Sequence, residues 1–138
     1  METVLIPVMQ TRFGNEEGNC FAASIASILE MKLEDIPELH SGINKHWFHI
    51  LWDFLVKHNY TFHGTLHKEE DILAYDKGVK GYYLVTGDSH RGCVRGHAVV
   101  YYKGKLAHDP YPNGNGITKI WHGLMIELQE ENYEISNT

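Results

Sequence analysis

Cys20, His97 and Asp109 are the three residue types that nucleophilic catalysis by a thiol requires, and each sits in a stretch of chain suited to its part. A thiol attacks a carbonyl carbon well only as the thiolate. Folded proteins favour that anion with a helix N-terminus and a neighbouring imidazolium. Cys20, Ala23, Ser24, Ser27, Ile28 and Met31 recur at spacings of three and four, a helical period, with Asn19 at the N-cap position and Gly18 before it. The Cys20 sulfur is therefore expected in the first turn of a helix, facing unpaired amides and the positive end of the helix dipole. The plainer alternative is a small buried residue, which is what most free cysteines are.

The base and its partner come later in the chain. Gly96-His97-Ala98-Val99-Val100 sets a histidine at the entrance of an apolar strand, and His108-Asp109-Pro110 closes the strand that follows. Residues 97–102 and 106–108 read as a hairpin joined by the Lys103-Gly104 turn. Antiparallel pairing would bring Asp109 to the His97 ring. A carboxylate there fixes the tautomer and stabilises the imidazolium. Taken singly, a strand-end histidine and an Asp-Pro turn are each common.

These residues need elements to hold them. Residues 4–9 are a short apolar run, either a strand or an extended lead-in, and residues 11–19 are rich in Gly, Asn and Glu and read as a loop. The Cys20 helix is dominated early by small residues (Ala22, Ala23, Ser24, Ala26, Ser27), which permits close packing, and residues 33–37 end it. A second helix is expected over residues 44–58, with Trp47, Ile50, Leu51, Phe54 and Leu55 on one apolar face, and a short third over 69–75. Residues 82–86 are strand-like, 87–96 a polar loop, and 117–121 and 125–128 weaker strands. Helices first and strands later give an α+β fold.

Composition bounds the alternatives. The 138 residues suit one compact domain, with 43% hydrophobic and 22% charged residues, ordinary for a soluble globular chain. The net charge of −6 and the scattered Lys and Arg argue against nucleic acid as the main partner. No stretch of about 18 apolar residues is present to span a membrane, and the first ten residues do not read as a secretory signal. Two cysteines make no disulfide framework and point to a reducing compartment, so a cytoplasmic location is expected.

The order Gln10, Cys20 opening a small-residue helix, His97 before an apolar strand, then Asp109-Pro110 resembles the papain-like cysteine peptidase superfamily. The likeness is nearest to the domains that trim double-glycine leader peptides in bacteriocin exporters. These have a Gln before a Cys-started helix, a His-x-Val-Val strand and an Asp-Pro. Small uncharacterised phage proteins are nearer still, sharing Gly-Asn-Cys-Phe-Ala-Ala, a Ser-x-Arg-Gly segment and His-Asp-Pro. The resemblance spans roughly residues 10–114, and its combined order is more specific than any one piece. It implies a single papain-like domain over residues 1–138, the Cys helix packed on an antiparallel sheet carrying the His and Asp. It also implies that Gln10 donates its side-chain amide, with the Cys20 backbone amide, to the developing oxyanion. Two features depart from the leader peptidases: Asn19 and Phe21 flank Cys20, and nine residues separate Gln10 from Cys20. Gln10 as an ordinary surface residue stands as the other reading.

The remaining candidates carry less. Arg91, in Ser89-His90-Arg91-Gly92, and Gly96 are the candidate substrate-binding residues, Arg91 through its planar fork to an anionic group. The other reading of Arg91 is a solvated loop residue. Cys93 lacks the setting of Cys20 and reads as a bystander. His63 and His67, or His46 and His49, would share a helix face, but no recognised ligand motif surrounds them, so neither metal nor cofactor is expected. Trp47, Phe48, Trp52 and Phe54 read as core. The turn Asp109-Pro110-Tyr111-Pro112-Asn113-Gly114 is expected to form a wall of the cleft. Two functions follow. One is a cysteine hydrolase acting on a peptide or small-molecule amide, or on a thioester. The other is a non-catalytic binding or host-interaction module on the same fold, recognising a peptide or small anionic ligand.

Overall fold

The helix that opens at Cys20 is buried on all sides beyond its first two residues, and the rest of the chain is arranged to cover it. The computed structural model describes residues 5–14, 18–112 and 114–129, so Val4 of the lead-in and Asn113 of the Asp-Pro turn lie outside the described residues. Helix α1 spans Cys20–Leu29, and Ala22 to Leu29 are all buried. Two serines let so buried a helix carry hydroxyls. Ser27 Oγ donates to the Ala23 carbonyl (2.9 Å) and accepts from the Val8 amide (2.8 Å), and Ser24 Oγ donates to the Ala98 carbonyl (3.3 Å). The helix stops one turn earlier than its periodicity predicts. Glu30 adopts the left-handed conformation (φ 59°, ψ 46°), and the amides of Glu30 and Met31 both return to the Ala26 carbonyl. Leu33–Asp35 is a separate 3₁₀ turn.

The fold is α+β: three helices pack on a five-stranded antiparallel sheet. The strands are β1 (Tyr60–Leu66), β2 (Tyr82–Ser89), β3 (His97–Tyr102), β4 (Lys105–His108) and β5 (Ile117–Leu128), in spatial order β1-β5-β2-β3-β4. Helix α2 spans Trp47–Lys57 and α3 Glu69–Ala74. Strand alternation divides the apolar residues between two faces. Leu84, Ala98, Val100, Leu124 and Ile126 share a core with Ile25 and Ile28 of α1 and with Leu51 and Leu55 of α2. Tyr83, Val85 and Val99 instead pack with Ile72 of α3.

Several expectations are corrected. Strand β1 was not anticipated, β2 extends to Ser89 into the expected loop, and the two weak strands at 117–128 are one continuous β5. Helix α2 begins at Trp47 rather than residue 44. Residues 5–9 form no strand and are the extended lead-in. Phe48 and Trp52 are not core: they are 39% and 46% exposed, and both meet the Phe62 ring edge-on, at 5.5 and 5.6 Å. The inward face is the one its periodicity predicts, Trp47, Ile50, Leu51, Phe54 and Leu55, and Phe48 and Trp52 lie off it.

Ile25→Ala, which empties a fully buried position between α1 and the sheet, is expected to cost about 2–5 kcal/mol in urea unfolding. Val56→Ala, on the exposed side of α2, is expected to change stability by about 0.5 kcal/mol or less. Equal small effects would contradict the packing described.

Candidate active site

The β3–β4 hairpin positions His97 and Asp109 through an irregularity. The turn at Lys103 and Gly104 has positive φ at both residues (51° and 77°), the conformation of a two-residue hairpin. Tyr102 then pairs with Lys105 and Tyr101 with Leu106, but the next pair is Val100 with His108, which leaves Ala107 as a bulge. Were Ala107 paired in a regular ladder, Asp109 would fall in register with Ala98, whose side chain joins the α1 core. With the bulge, Asp109 falls in register with Val99, two residues from His97 and on the same side of the strand. His97 Nε2 and Asp109 Oδ1 are 2.6 Å apart, with side chains only 2% and 4% exposed.

The carboxylate is held from every direction. Besides His97, Oδ1 accepts from the Tyr111 amide (2.9 Å) and Oδ2 from the Gly116 amide (2.8 Å). A Cβ on Gly114 would lie 2.2 Å from Oδ2, so only glycine leaves room for the carboxylate there. Burial acts against the charged imidazolium of His97. The hydrogen bonds to Asp109 and Cys20, and the charges on both, outweigh it and raise His97 from 6.5 to about 9. Burial would likewise raise Asp109, but its bonds to His97, Tyr111 and Gly116 and the imidazolium charge hold it below the ordinary carboxylate value.

Cys20 is the first residue of α1 and half-buried, and its side chain helps to raise His97. Asp109 occupies Nε2, which leaves Nδ1 for the sulfur. The Ala98 amide also donates to Cys20 Sγ (3.4 Å), tying the sulfur to the strand that carries the histidine. Asn19 occupies the N-cap position but makes no side-chain bond to the helix. Its Oδ1 accepts from the Thr11 and Arg12 amides (both 2.9 Å) and its Nδ2 donates to Thr11 Oγ1 (2.9 Å). The expected cap is thus a clamp on the preceding loop, and the first-turn amides of α1 are left uncapped.

That clamp acts on Gln10, which is buried rather than a surface residue. Its Nε2 donates to the Arg12 carbonyl (2.9 Å), on the residue whose amide Asn19 holds. One N–H of the primary amide is therefore used and one remains, while Oε1 is buried without a hydrogen-bond partner. Gln10, Cys20 and His97 all line one cleft of about 380 Å³.

Arg91, Cys93 and Gly96 line the same cleft. The Arg91 guanidinium lies over the Tyr111 ring, 3.4 Å from its centre, and Tyr111 meets His97 edge-on at 6.4 Å, so the Asp-Pro turn does supply a wall. At Gly96 a positive φ (78°) and the Trp121 ring, 2.4 Å from where a Cβ would stand, exclude a side chain just before His97. Phe21 and Trp47, in edge contact at 5.5 Å, add apolar lining. Sequence reasoning gave Tyr111 and Gly114 no role beyond the wall expected of their turn, and it did not foresee the Asn19 clamp. The Pro- and Gly-rich turn after Asp109 was the available signal for the first two. His63 lies in β1, so it and His67 share no helix, and among the described residues no group of three or more His, Cys, Asp or Glu is suited to hold a metal. Among them, too, no helix is long and apolar enough to cross a membrane. The chain matches no protein-family model, no curated protein and no solved structure.

Because its value is raised on folding, His97 stabilises the fold fully below its ordinary 6.5 and loses that contribution as pH rises through about 9. The melting-temperature gap between the wild type and Asp109→Asn is therefore expected to be wide near pH 6 and to close as pH passes 9. By NMR, the His97 titration midpoint is expected to fall below 9 in both Asp109→Asn and Gly114→Ala. An unmoved midpoint in Gly114→Ala would mean that this glycine does not hold the carboxylate in place.

Proposed function

We propose that the chain is a papain-like cysteine hydrolase that cleaves an amide, peptide or thioester bond through an acyl-enzyme on Cys20. The observation that carries this reading is the His97 ring, bonded to a nearly dry carboxylate and lining one cleft with a helix-opening thiol that helps to raise it. Buried structural cysteines have no need of such a partner.

In the proposed reaction His97 takes the Cys20 proton, and the imidazolium and thiolate stabilise one another, with Asp109 fixing the ring. The thiolate attacks the substrate carbonyl and a C–S bond forms. The oxygen, now negative, is received by the uncapped Cys20 amide and the remaining Gln10 Nε2–H. As the intermediate collapses, the bond to the leaving amine or thiol breaks and His97 gives that group its proton. Neutral His97 then accepts a proton from water attacking the acyl-enzyme, and the acid departs as thiolate and imidazolium re-form. The reading places the protein among soluble thiol enzymes of a reducing compartment such as the cytoplasm.

The direct test is alkylation by iodoacetamide at about pH 6 with peptide mapping, where Cys20 is expected to react far faster than Cys93. Equal, slow labelling would point to the binding module instead. On a panel of fluorogenic peptide, isopeptide and thioester substrates, Cys20→Ala is expected to fall to background and His97→Ala nearly as far. Asp109→Asn should keep partial activity, since an amide can still orient the ring. The double variant Cys20→Ala/His97→Ala is expected to lose little beyond Cys20→Ala, because the pair acts as a unit. Turnover should also decline as pH rises through about 9, where His97 loses the proton it must donate. Full activity in Cys20→Ala would end this mechanism.

A further inference from the structure

The surroundings of His97 suggest what the substrate carries. The chain has a net charge of −6, yet among the described residues no Asp or Glu lines the cleft, whereas Arg91, Arg95, His40, His67 and His122 do, beside His97. Arg91 is the cleft cation that lies against an aromatic ring. Two other cations have acidic partners: Arg12 meets Glu38 at 2.7 Å and Lys80 meets Glu30 at 2.9 Å. The Arg91 guanidinium has none among the described residues and is held by a ring instead.

Its position is fixed at both ends. The Arg91 amide donates to Ser89 Oγ (2.9 Å), and the turn is closed by the Gly92 amide on the Ser89 carbonyl (3.2 Å). At the other end the guanidinium lies on Tyr111, whose own amide is bonded to the Asp109 oxygen that holds His97. Stacking occupies the face of a guanidinium and leaves its in-plane N–H groups to bind a planar anion. A solvated loop arginine would hold no such fixed relation to the nucleophile.

We propose that the cleft takes an acyl substrate bearing a carboxylate close to the scissile carbonyl, with Arg91 as the residue that binds it. This rests on the cysteine-hydrolase reading above, and it names that site's substrate class. Phe21, Leu39, Trp47 and Leu124 line the same cleft and fit an apolar group on the same substrate.

The test uses two alkylating probes of nearly equal size, iodoacetate and iodoacetamide, and takes the ratio of their rates at Cys20. The His97 imidazolium favours the anion by itself, so the informative quantity is the change in ratio on substitution. Arg91→Gln is expected to lower it by about threefold to tenfold, the scale of removing one partly screened charge nearby. Arg91→Lys, which keeps the charge, is expected to retain most of it. High salt should shrink the difference between wild type and Arg91→Gln. A second pair, peptidyl chloromethyl ketones differing only in Glu or Gln beside the reactive carbonyl, separates the sources. A preference for Glu in wild type that is lost in Arg91→Gln assigns the carboxylate to a peptide side chain, whereas an effect confined to iodoacetate assigns it to a small free acid. Fast alkylation of Cys20 with a ratio unmoved by Arg91→Gln would overturn this inference alone. Slow alkylation by both reagents would overturn the thiolate reading and the inference with it.

Discussion

The contact between His97 and Asp109 governs the arrangement of the site, because two groups that carry opposite charge at neutral pH sit almost without water. Removing either charge from solvent is costly unless the other is present and the remaining lone pairs are satisfied. The chain meets the second condition with the backbone amides of Tyr111 and Gly116, and it keeps Gly114 bare so that the carboxylate fits. The loop after β4 is thus shaped around one carboxylate. The same pairing keeps the imidazolium protonated to about pH 9, in reach of the sulfur.

A second set of contacts registers the lead-in segment to this pair. The Val8 amide is held by Ser27 of α1, while the Val8 carbonyl meets Nε2 of His108, at the end of β4 (2.8 Å). Two residues on, the Gln10 amide donates to the Pro110 carbonyl (3.0 Å). The segment carrying the amide donor is therefore fastened both to the helix of the nucleophile and to the hairpin of the base. Asn19 adds a third tie by holding Thr11 and Arg12. Preorganisation of this kind is what lets a donor act on a developing charge without first having to move.

How much of this was legible in the sequence depends on the range of the interactions involved. The α1 helix and its cysteine were legible because a period of three to four and a loop-rich preface are local signals. The β3–β4 hairpin was legible through Lys103-Gly104, and with it the pairing of His97 and Asp109. Strand β1 was not, since it is a half-buried edge element broken by Gly64 at a bulge, without clean alternation. The Asn19 side chain was assigned to the helix end, whereas the fold uses it on a loop eight residues earlier. Nothing local distinguishes those uses: an N-cap and a loop clamp draw on the same carboxamide. The inward face of α2 was legible from its period, whereas Phe48 and Trp52, apolar but off that face, were misread as core.

The bulge at Ala107 makes the β3–β4 hairpin sensitive to parity. In an antiparallel ladder, changing the chain by two residues preserves which side each residue faces, while a change of one reverses it. Lengthening the turn by a matched pair of residues would leave Asp109 beside His97. Deleting Ala107 would remove the bulge and keep Asp109 opposite Val99, whereas a regular ladder that took Ala107 into its pairing would swing the carboxylate toward the side of Ala98, where the small residues of α1 leave it neither room nor a counter-charge. In that register the chain would still read Cys, His, Asp in order along its sequence, with every motif intact, and yet lack the juxtaposition itself. In this protein the register of the hairpin carries as much information as the motifs do.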